Sequence, residues 1–380
     1  MTRTILDLGT QPLVNNLCSS EEESLNAERF PLRAVVEDDL TIHLDYAVDP
    51  SILYGNYLYR SSTSKPYIEH CEKLFHRFSH IRHDTIIDIG GNDGALLKAF
   101  QGCTDKKLRL INVDASATFK EDNEKAGITY VNDFWGDHLD LPKANIITST
   151  NVFQHTKDIH AFMRGIQKFL DGVWILEFPY TAETIRTNQF DQFYHEHYYY
   201  WLLSPLEKLF AQYGLKIIHC HQESIHGGSM RLWMTNKEPS APAIDIEKHK
   251  KEEQVLIDNL NFGGNISALQ EDFFAMVEDK EAYGRIAFFG AAAKGCVFLN
   301  ALNITTKNIG QSFVIDDTAS KQGLYVPGTG LKIVDRSYLT ECDTIIILAH
   351  NFAEFIAKSL RNDGFKGRII AMLPSSQEFN

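Results

Sequence analysis

The sequence predicts an α/β protein with two Rossmann-like units, a larger one in the middle of the chain and a smaller one at the C-terminal end. Short apolar runs alternate with helical stretches, which is typical of a parallel sheet flanked by helices. The alternation stops at Pro239-Ser-Ala-Pro-Ala and then resumes, and in each series a glycine-rich turn directly follows an apolar run. We therefore expect a small irregular N-terminal region at 1–65, the larger unit at 66–237 and the smaller unit at 238–380.

The elements of the larger unit follow from local periodicity. A helix is predicted over Pro66–Ser79, because the apolar residues from Tyr67 to Phe78 recur at helical spacing. Strands are predicted at Thr85–Ile89, Leu108–Val113, Asn145–Thr148 and Val173–Glu177. A helix from about Pro205 to Tyr213 follows, and then an antiparallel pair at the sheet edge, Leu215–His221 with Ser229–Thr235.

The smaller unit is predicted to begin with a long helix from Asp245 to Glu278, which the Gly263-Gly264 pair can interrupt. Its strands are predicted at Arg285–Phe289, Ser312–Ile315, Thr344–Leu348 and Arg368–Met372. In the N-terminal region, only Thr41–Leu44 is predicted as a strand.

Composition excludes several classes of function. Of the 380 residues, 44% are apolar and 23% are charged, which is ordinary for a globular protein. The net charge of −13 disfavours tight binding to nucleic acid or to an anionic membrane, although a local group of donors can still bind an anionic small molecule. No apolar run approaches the roughly 20 residues of a membrane span, and no signal-peptide run opens the chain. Six isolated cysteines indicate reduced thiols, so a cytoplasmic protein is expected.

The strongest signal for a ligand is Ile86-Ile-Asp-Ile-Gly-Gly-Asn-Asp-Gly. A buried strand ends at Asp88 and enters a turn in which Gly90 and Gly94, on either side of Asn92, allow a tight backbone and close approach of a ligand. Asp114 ends the next strand, where a carboxylate can accept both hydroxyls of a ribose. A nicotinamide dinucleotide and S-adenosylmethionine (SAM) both fit this geometry.

The charge of the turn distinguishes these two cofactors. Asp93 lies where the diphosphate of a dinucleotide would bind and would repel it, and the turn lacks G-x-G-x-x-G spacing. SAM carries a sulfonium and an ammonium but no phosphate, so it tolerates nearby carboxylates. SAM is therefore the expected cofactor. A dinucleotide, or a scaffold that binds neither, is the alternative.

Beyond these residues, the motifs of the chain resemble one known family. Asp88-Ile-Gly-Gly-Asn-Asp-Gly, Asn151-Val-Phe-Gln-His, Glu177-Phe-Pro-Tyr and Tyr194-His-Glu-His are similar to the SAM-dependent sugar C-methyltransferases. The C-terminal motifs Gly290-Ala-Ala-Ala-Lys-Gly, Asp316-Asp-Thr-Ala-Ser-Lys and Ala349-His-Asn-Phe also resemble the last domain of that family. The resemblance covers nearly the whole chain. It implies a class I methyltransferase domain and C-3 methylation of a nucleotide-linked 4-keto deoxysugar, with a dTDP sugar expected.

The N-terminal region departs from that family, whose first domain usually holds zinc on cysteine pairs. Leu6-Asp-Leu-Gly-Thr-Gln-Pro matches the segment after the first pair, and the second pair would fall within Leu32–Leu40, where no cysteine occurs. Structural zinc needs four thiolate or imidazole ligands. We expect no zinc, so the region must be held by packing against the rest of the chain.

The densest polar and aromatic cluster is Phe193-Tyr-His-Glu-His-Tyr-Tyr-Tyr. Methylation next to a ketone requires removal of a weakly acidic proton, and a histidine can act as the base near neutral pH. The resemblance implies His197 as general base, with Tyr194 and Glu196 in the sugar site. His195 would share its direction in an extended segment and diverge from it in a helix. The alternative is an aromatic core segment with satisfied histidines.

Further site residues are predicted from their position or from the resemblance. Tyr57 and Tyr59 match an aromatic segment that closes over the family's active site, although simple packing would explain them equally well. Asn151 and His155 follow a strand at its ligand-binding end, where His155 could instead start a helix. The glycine-rich segment with Lys294 could hold a phosphate or merely pack closely. Ser229 and Arg231 are further candidates for binding the nucleotide diphosphate, and Asp316, Tyr325 and Asn351 are candidates for contacts with its ribose or base.

Two other functions stay open at this point. One is a SAM-dependent O- or N-methyltransferase acting on a sugar or another small molecule, which would need less of the deprotonation machinery. The other is a catalytically idle methyltransferase-fold binding protein, which only the missing zinc ligands favour. The chain is expected to be a monomer or homodimer.

Overall fold

In a computed structural model of the chain, the described residues are 2–49, 52–53, 65–223, 227–238, 244, 246–260 and 262–380. They form three sheets with the orders β1-β2-β3-β9, β10-β11-β8-β7-β4-β5-β6 and β14-β13-β12-β15-β16-β17. The second and third sheets confirm the predicted α/β fold. Within the described ranges, no helix is long and apolar enough to cross a membrane.

The middle sheet has five parallel strands and an antiparallel pair at one edge. Its strands are β4 Thr85–Ile89, β5 Arg109–Val113, β6 Thr129–Val131, β7 Ala144–Thr150, β8 Leu170–Pro179, β10 Lys216–Glu223 and β11 Ser229–Thr235. The edge pair β10 and β11 is the predicted one. The ends of β4, β5, β7 and β8 therefore meet at one edge, where open α/β sheets bind their ligands.

Helices cover both faces of this sheet and close it from water. The helix predicted at Pro66–Ser79 is observed at Lys65–Phe78, and the one predicted near Pro205 is observed at Leu203–Gln212. The helices, counted from the N-terminus of the chain, are α1 Glu21–Leu25, α2 Lys65–Phe78, α3 Ala95–Gly102, α4 Lys120–Lys125, α5 Ile159–Phe169, α6 Thr181–Arg186 and α7 Leu203–Gln212.

The C-terminal sheet repeats the topology of the middle one. Its strands are β12 Ile286–Phe289, β13 Phe313–Ile315, β14 Lys332–Val334, β15 Thr344–Ile347, β16 Arg368–Ala371 and β17 Gln377–Phe379. The order 3-2-1-4-5-6 is that of a doubly wound sheet, with β17 antiparallel at the edge. Its helices, with those leading into it, are α8 Glu247–Asp258, α9 Ile266–Glu278, α10 Lys280–Tyr283, α11 Ala293–Ala301, α12 Thr306–Ile309 and α13 Ala353–Asn362.

The long helix predicted from Asp245 to Glu278 is two helices, α8 and α9. The break includes Gly263, whose φ of 73° lies in the left-handed region that glycine adopts at little cost. The predicted interruption is confirmed.

The N-terminal region is not irregular, and this prediction was wrong. The strands β1 Arg3–Pro12, β2 Arg29–Val36 and β3 Ile42–Leu44 form an antiparallel sheet, of which only β3 was predicted. Two irregularities in the pairing of β1 break the alternation of buried and exposed side chains that would mark a strand. The fourth strand, β9 Tyr199–Tyr200, comes from the middle of the chain.

Backbone and side-chain contacts hold this N-terminal sheet against the C-terminal unit. Cys18 and Tyr325 exchange backbone hydrogen bonds of 3.0 and 2.8 Å. Ser24 Oγ donates to the Val326 carbonyl at 2.6 Å, and Arg29 Nη1 donates to Asn300 Oδ1 at 3.1 Å. The expectation that packing holds this region is met by these contacts.

Gly90, at the end of β4, is fixed by both its backbone and its surroundings. Its φ is 64°, and a methyl group in place of its hydrogen would lie 2.4 Å from Val152 Cγ2. Gly127 has a similar φ of 75° but nothing within 4 Å of such a methyl group. Substituting each glycine by alanine therefore separates the cost of backbone strain from the cost of a steric clash.

We expect Gly90→Ala to lower the free energy of unfolding by about 2–3 kcal/mol, because strain and a clash in the core add. Gly127→Ala carries the backbone cost alone and should lower it by about 1 kcal/mol. Urea unfolding of both variants measures the difference. Equal losses would show that the Val152 contact relaxes freely.

Candidate active site

The first glycine turn joins β4 to α3 and holds a carboxylate at its rim. The Gly90 amide donates to the Val113 carbonyl at 2.8 Å, which ties the turn to β5. Asp114 Oδ2 accepts from the Asn92 amide and Oδ1 from the Ser116 amide, each at 2.9 Å. The carboxylate is thereby fixed at the position from which it can accept ribose hydroxyls.

Two buried oxygen atoms beside this turn accept no hydrogen bond. Asp88 Oδ1 accepts from Thr148 Oγ1 at 2.7 Å, but Asp88 Oδ2 has no partner. Asn151 Oδ1, at the end of the neighbouring strand β7, has none either. Burial raises the pKa of Asp88 to about 7. Unpartnered acceptors at the ends of adjacent strands suit a cationic ligand, such as the ammonium and sulfonium of SAM.

The histidine cluster forms a turn after a short 3-10 helix, Phe190–Gln192. His197 Nδ1 lies 3.2 Å from the Gln192 carbonyl, and His197 Nε2 lies 2.7 Å from the Tyr194 hydroxyl. Because a carbonyl oxygen only accepts, Nδ1 carries the proton, and Nε2 accepts from Tyr194. The Nε2 lone pair, which is the one that would accept the substrate proton, is therefore occupied by the hydrogen bond from the Tyr194 hydroxyl.

His197 is held in its neutral form. Burial lowers its pKa well below the usual value, and His155 and Lys294 lower it further. The His155 ring lies 4.9 Å from the His197 ring, and its Nδ1 contacts the Glu196 carbonyl at 2.6 Å. Burial also lowers the pKa of His155 to about 4. At neutral pH, His197 can therefore accept a proton but does not already hold a second one.

His195 and Glu196 point toward the N-terminal sheet. His195 Nε2 lies 3.2 Å from the Pro31 carbonyl, and Glu196 Oε1 accepts from Asn15 Nδ2 at 2.6 Å. The segment is a turn, neither the extended segment nor the helix considered from the sequence, and in it His195 and His197 have different contacts. Burial raises the pKa of Glu196 to about 7. Both residues fasten the turn that carries His197.

A buried aspartate and a buried histidine face each other where the turn meets the C-terminal unit. His350 Nδ1 lies 3.3 Å from Asp191 Oδ2, and Asp191 is fully buried. Burial lowers the pKa of Lys294 to about 8, with Asp191 opposing the shift. Asn351 approaches Gly227, since a methyl group on that glycine would lie 2.6 Å from Asn351 Oδ1. Lys294 and Asn351 thus lie at the seam between the two α/β units.

The second glycine turn, after β12, repeats the hydrogen bonds of the first. The Gly290 amide donates to the Ile315 carbonyl at 2.8 Å, as Gly90 does to β5. Asp316 accepts from the Ala291 amide on Oδ2 and from the Thr318 amide on Oδ1, each at 2.8 Å. Asp316 is therefore the counterpart of Asp114. Both turns present a carboxylate in the ribose-accepting position.

Arg231 is not placed to bind a diphosphate. Its guanidinium is 1% exposed and pairs with Glu177 at 2.6 Å and with Glu223 at 2.6 Å. His70 Nε2 contacts Glu177 Oε1 at 2.9 Å from the other side. The carboxylates already satisfy the arginine, so its predicted substrate role gains no support. Ser229, two residues earlier, is fully buried at the start of β11.

The other predicted residues have mixed outcomes. Tyr57 and Tyr59 lie outside the described residues. Tyr325 forms isolated bridges with Cys18 and Lys332, so its backbone is structural. Within the described residues, no group of three His, Cys, Asp or Glu side chains could hold a metal ion. The absence of zinc stays a prediction.

Sequence reasoning missed Asp191, His350 and Gln154. Asp191 lies three residues before Tyr194, and His350 is the residue before Asn351 in a motif already singled out. The position of His350 in that motif, and of Asp191 just before the histidine cluster, was the available signal. Gln154 lies in the Asn151-Val-Phe-Gln-His motif already singled out, but it has none of the charge that would have marked it.

Comparison with known proteins agrees with this geometry. Residues 64–220 match the family model described as a methyltransferase domain, and residues 224–374 match the model described as a C-methyltransferase C-terminal domain. The C-methyltransferase NovU of Streptomyces niveus is 27% identical over 97% of this chain and 92% of its own. The chain is a SAM-dependent methyltransferase. The C-methyltransferase resemblance is thereby confirmed.

Solved structures of other methyltransferases are more distant. The mitomycin 7-O-methyltransferase MmcR is 14% identical over 48% of this chain and 62% of its own, with a TM-score of 0.38. The plantazolicin methyltransferase BamL is 14% identical over 45% of this chain and 84% of its own, with a TM-score of 0.37. At these scores, neither structure bears on the substrate of this methyltransferase.

We expect SAM binding to this methyltransferase to weaken as the pH falls from 8 to 6, by about tenfold, because Asp88 becomes protonated around pH 7. Asp88→Asn should bind SAM more weakly and with no such pH dependence. Isothermal titration calorimetry at several pH values measures both. The same raised pKa makes the unliganded protein less stable as the pH rises from about 4 to about 7. Equal pH profiles for the two proteins would rule out Asp88 as the titrating group.

We expect Arg231→Met to lower the free energy of unfolding by about 3–5 kcal/mol, because it leaves the Glu177 carboxylate buried without its cation. Arg77→Met is the matched control, since Arg77 pairs with Glu223 at 3.0 Å from an exposed position. That variant should lose less than about 1 kcal/mol. Urea unfolding compares them, and similar losses would mean that Glu177 is relieved by His70 alone.

Proposed function

We propose that this methyltransferase transfers a methyl group to C-3 of a nucleotide-linked 4-keto deoxysugar, with His197 as the general base. The observation that carries the proposal is the hydrogen bond between Tyr194 and the buried His197, in a chain that also has two nucleotide-type glycine turns. The similarity to a C-methyltransferase along nearly the whole chain favours carbon as the methyl acceptor.

The first turn would bind SAM, which supplies a methyl group on a positively charged sulfur. Asp114 would accept the ribose hydroxyls, and the Asn92 amide keeps that carboxylate in place. Asp88 and Asn151 would accept from the ammonium group through the two oxygens that lack partners. Gly90 would let the cofactor approach the backbone closely.

The proton step would use the tautomer that the turn enforces. The proton on C-3 would move to His197 Nε2, and the electron pair of the broken C–H bond would delocalise onto the C-4 carbonyl oxygen as an enolate. For this, Tyr194 must withdraw its hydrogen bond from Nε2, and its hydroxyl could then donate to the enolate oxygen. C-3 would next form the new carbon–carbon bond as the sulfur–methyl bond breaks.

The second turn would bind the nucleotide of the substrate. Asp316 would accept the hydroxyl of its ribose or deoxyribose, by analogy with Asp114. Lys294, in the first turn of α11, carries the positive charge that a diphosphate needs. Asn351 faces the middle unit from the same edge and would contact the sugar. Ser229 is fully buried at the start of β11, so the proposal gives it no contact with the sugar.

We expect the protein, incubated with a dTDP-4-keto deoxysugar in deuterated water and S-adenosylhomocysteine, to exchange the C-3 proton for deuterium. With SAM, it should give a product methylated at C-3. His197→Asn should lower both rates by 100-fold or more, and Tyr194→Phe by roughly 10- to 100-fold, since acid–base groups contribute about 10²–10⁴. NMR and mass spectrometry follow the two reactions. A methyl group on oxygen or nitrogen, with no exchange, would contradict the proposal, as would full activity of His197→Asn.

A further inference from the structure

Gln154 is a buried amide without a hydrogen-bond partner. It lies on the short 3-10 helix Phe153–His155 that follows β7, and it is 3% exposed. Neither its Nε2 nor its Oε1 makes a hydrogen bond. Buried amides in folded proteins nearly always make hydrogen bonds. This amide therefore either binds a ligand or lowers the stability of the fold.

The amide lines a small cavity that it shares with the proposed base. The cavity has a volume of about 10 Å³ and is lined by Gln154, His197, Gln192, Thr181 and Tyr200, among others. That volume corresponds to roughly one water molecule, and therefore to one oxygen substituent of a ligand. It is too small for a ring or a phosphate.

Several of the other polar groups around the cavity already have hydrogen-bond partners. The Gln192 carbonyl contacts His197 Nδ1, and Thr184 Oγ1 donates to the Tyr180 carbonyl at 3.3 Å. The Tyr200 hydroxyl accepts from the Tyr194 amide at 3.2 Å. Gln154 Nε2 is thus a donor that stays available beside the base. An uncharged donor fixed by packing before the substrate arrives is what a developing oxyanion requires.

We propose that the Gln154 amide donates a hydrogen bond to the substrate carbonyl oxygen that becomes negatively charged when His197 removes the adjacent proton. The proposal rests on the proposed function. It adds Gln154, besides Tyr194, as a second hydrogen-bond donor to the same oxygen. The Phe153 ring, 5.0 Å from Phe162 and 5.6 Å from Trp174, anchors the preceding residue in the core. Gln154 is therefore held by the scaffold rather than by the substrate.

The test compares Gln154→Met with wild type. Methionine keeps the length and packing but removes the donor, so C-3 proton exchange should slow by roughly 100-fold, the usual effect of losing one oxyanion donor. The dissociation constants of SAM and of dTDP should be unchanged. The melting temperature should not fall, because the variant removes an unsatisfied buried amide. Gln154→Glu places a carboxylate against the enolate and should be at least as slow.

Gln11→Met is the matched control. Gln11 is also a buried glutamine with an unpartnered side-chain atom, its Oε1, but it lies on β1 and does not line the cavity that Gln154 shares with His197. It should leave the exchange rate unchanged. If wild type exchanges the proton and Gln154→Met exchanges it as fast, the Gln154 inference is overturned and the proposed function stands. If wild type neither exchanges nor methylates the keto sugar, both fall.

Discussion

The hydrogen bond between Tyr194 and His197 depends on one turn being held in place by all three sheets. His195 fastens the turn to the N-terminal sheet, the Glu196 carbonyl fastens it to His155 of the middle unit, and Asp191 faces His350 of the C-terminal unit. A buried imidazole is neutral because no solvent stabilises its charged form. The burial that fixes the position of the His197 ring therefore also keeps that ring neutral. A change that exposes the ring to water would alter both its position and its protonation state.

The two α/β units have the same backbone arrangement at their glycine turns, but different charged side chains lie around those turns. In both, a glycine at positive φ follows the first strand, and a carboxylate at the end of the second strand accepts two backbone amides. Around the first turn the additional charges are Asp88 and Asp93, whereas around the second Lys294 stands next to the turn. Anionic side chains favour a cationic cofactor, and a lysine favours a diphosphate. A common fold can thus serve two ligands of opposite charge, because the fold fixes the ribose contact and the side chains select the rest.

Much of the fold and of the candidate site could be predicted from the sequence, and the features that could not be predicted have physical causes. The parallel strands were predictable because strands buried on both faces form continuous apolar runs, as Thr85–Ile89 and Thr344–Ile347 do. The N-terminal sheet was not, since the irregular pairing of β1 hides its alternation and its last strand, β9, lies some 150 residues away. In the site, Asp88, Asp114 and the Tyr194–His197 segment were predictable from motif and strand position. The pairing of Arg231 with Glu177 and Glu223 was not, because local sequence does not show which charges a fold will bury together.

The N-terminal sheet supports the His197 turn through backbone pairing. Its strands β1, β2 and β3 are joined to one another by a ladder of backbone hydrogen bonds. Because β9 directly follows the His197 turn, pairing of Ile42 with Tyr200 holds the segment that carries the proposed base. Asn15 and the Pro31 carbonyl add two contacts to the same turn. The sheet is therefore part of the support of the turn in which we place the general base.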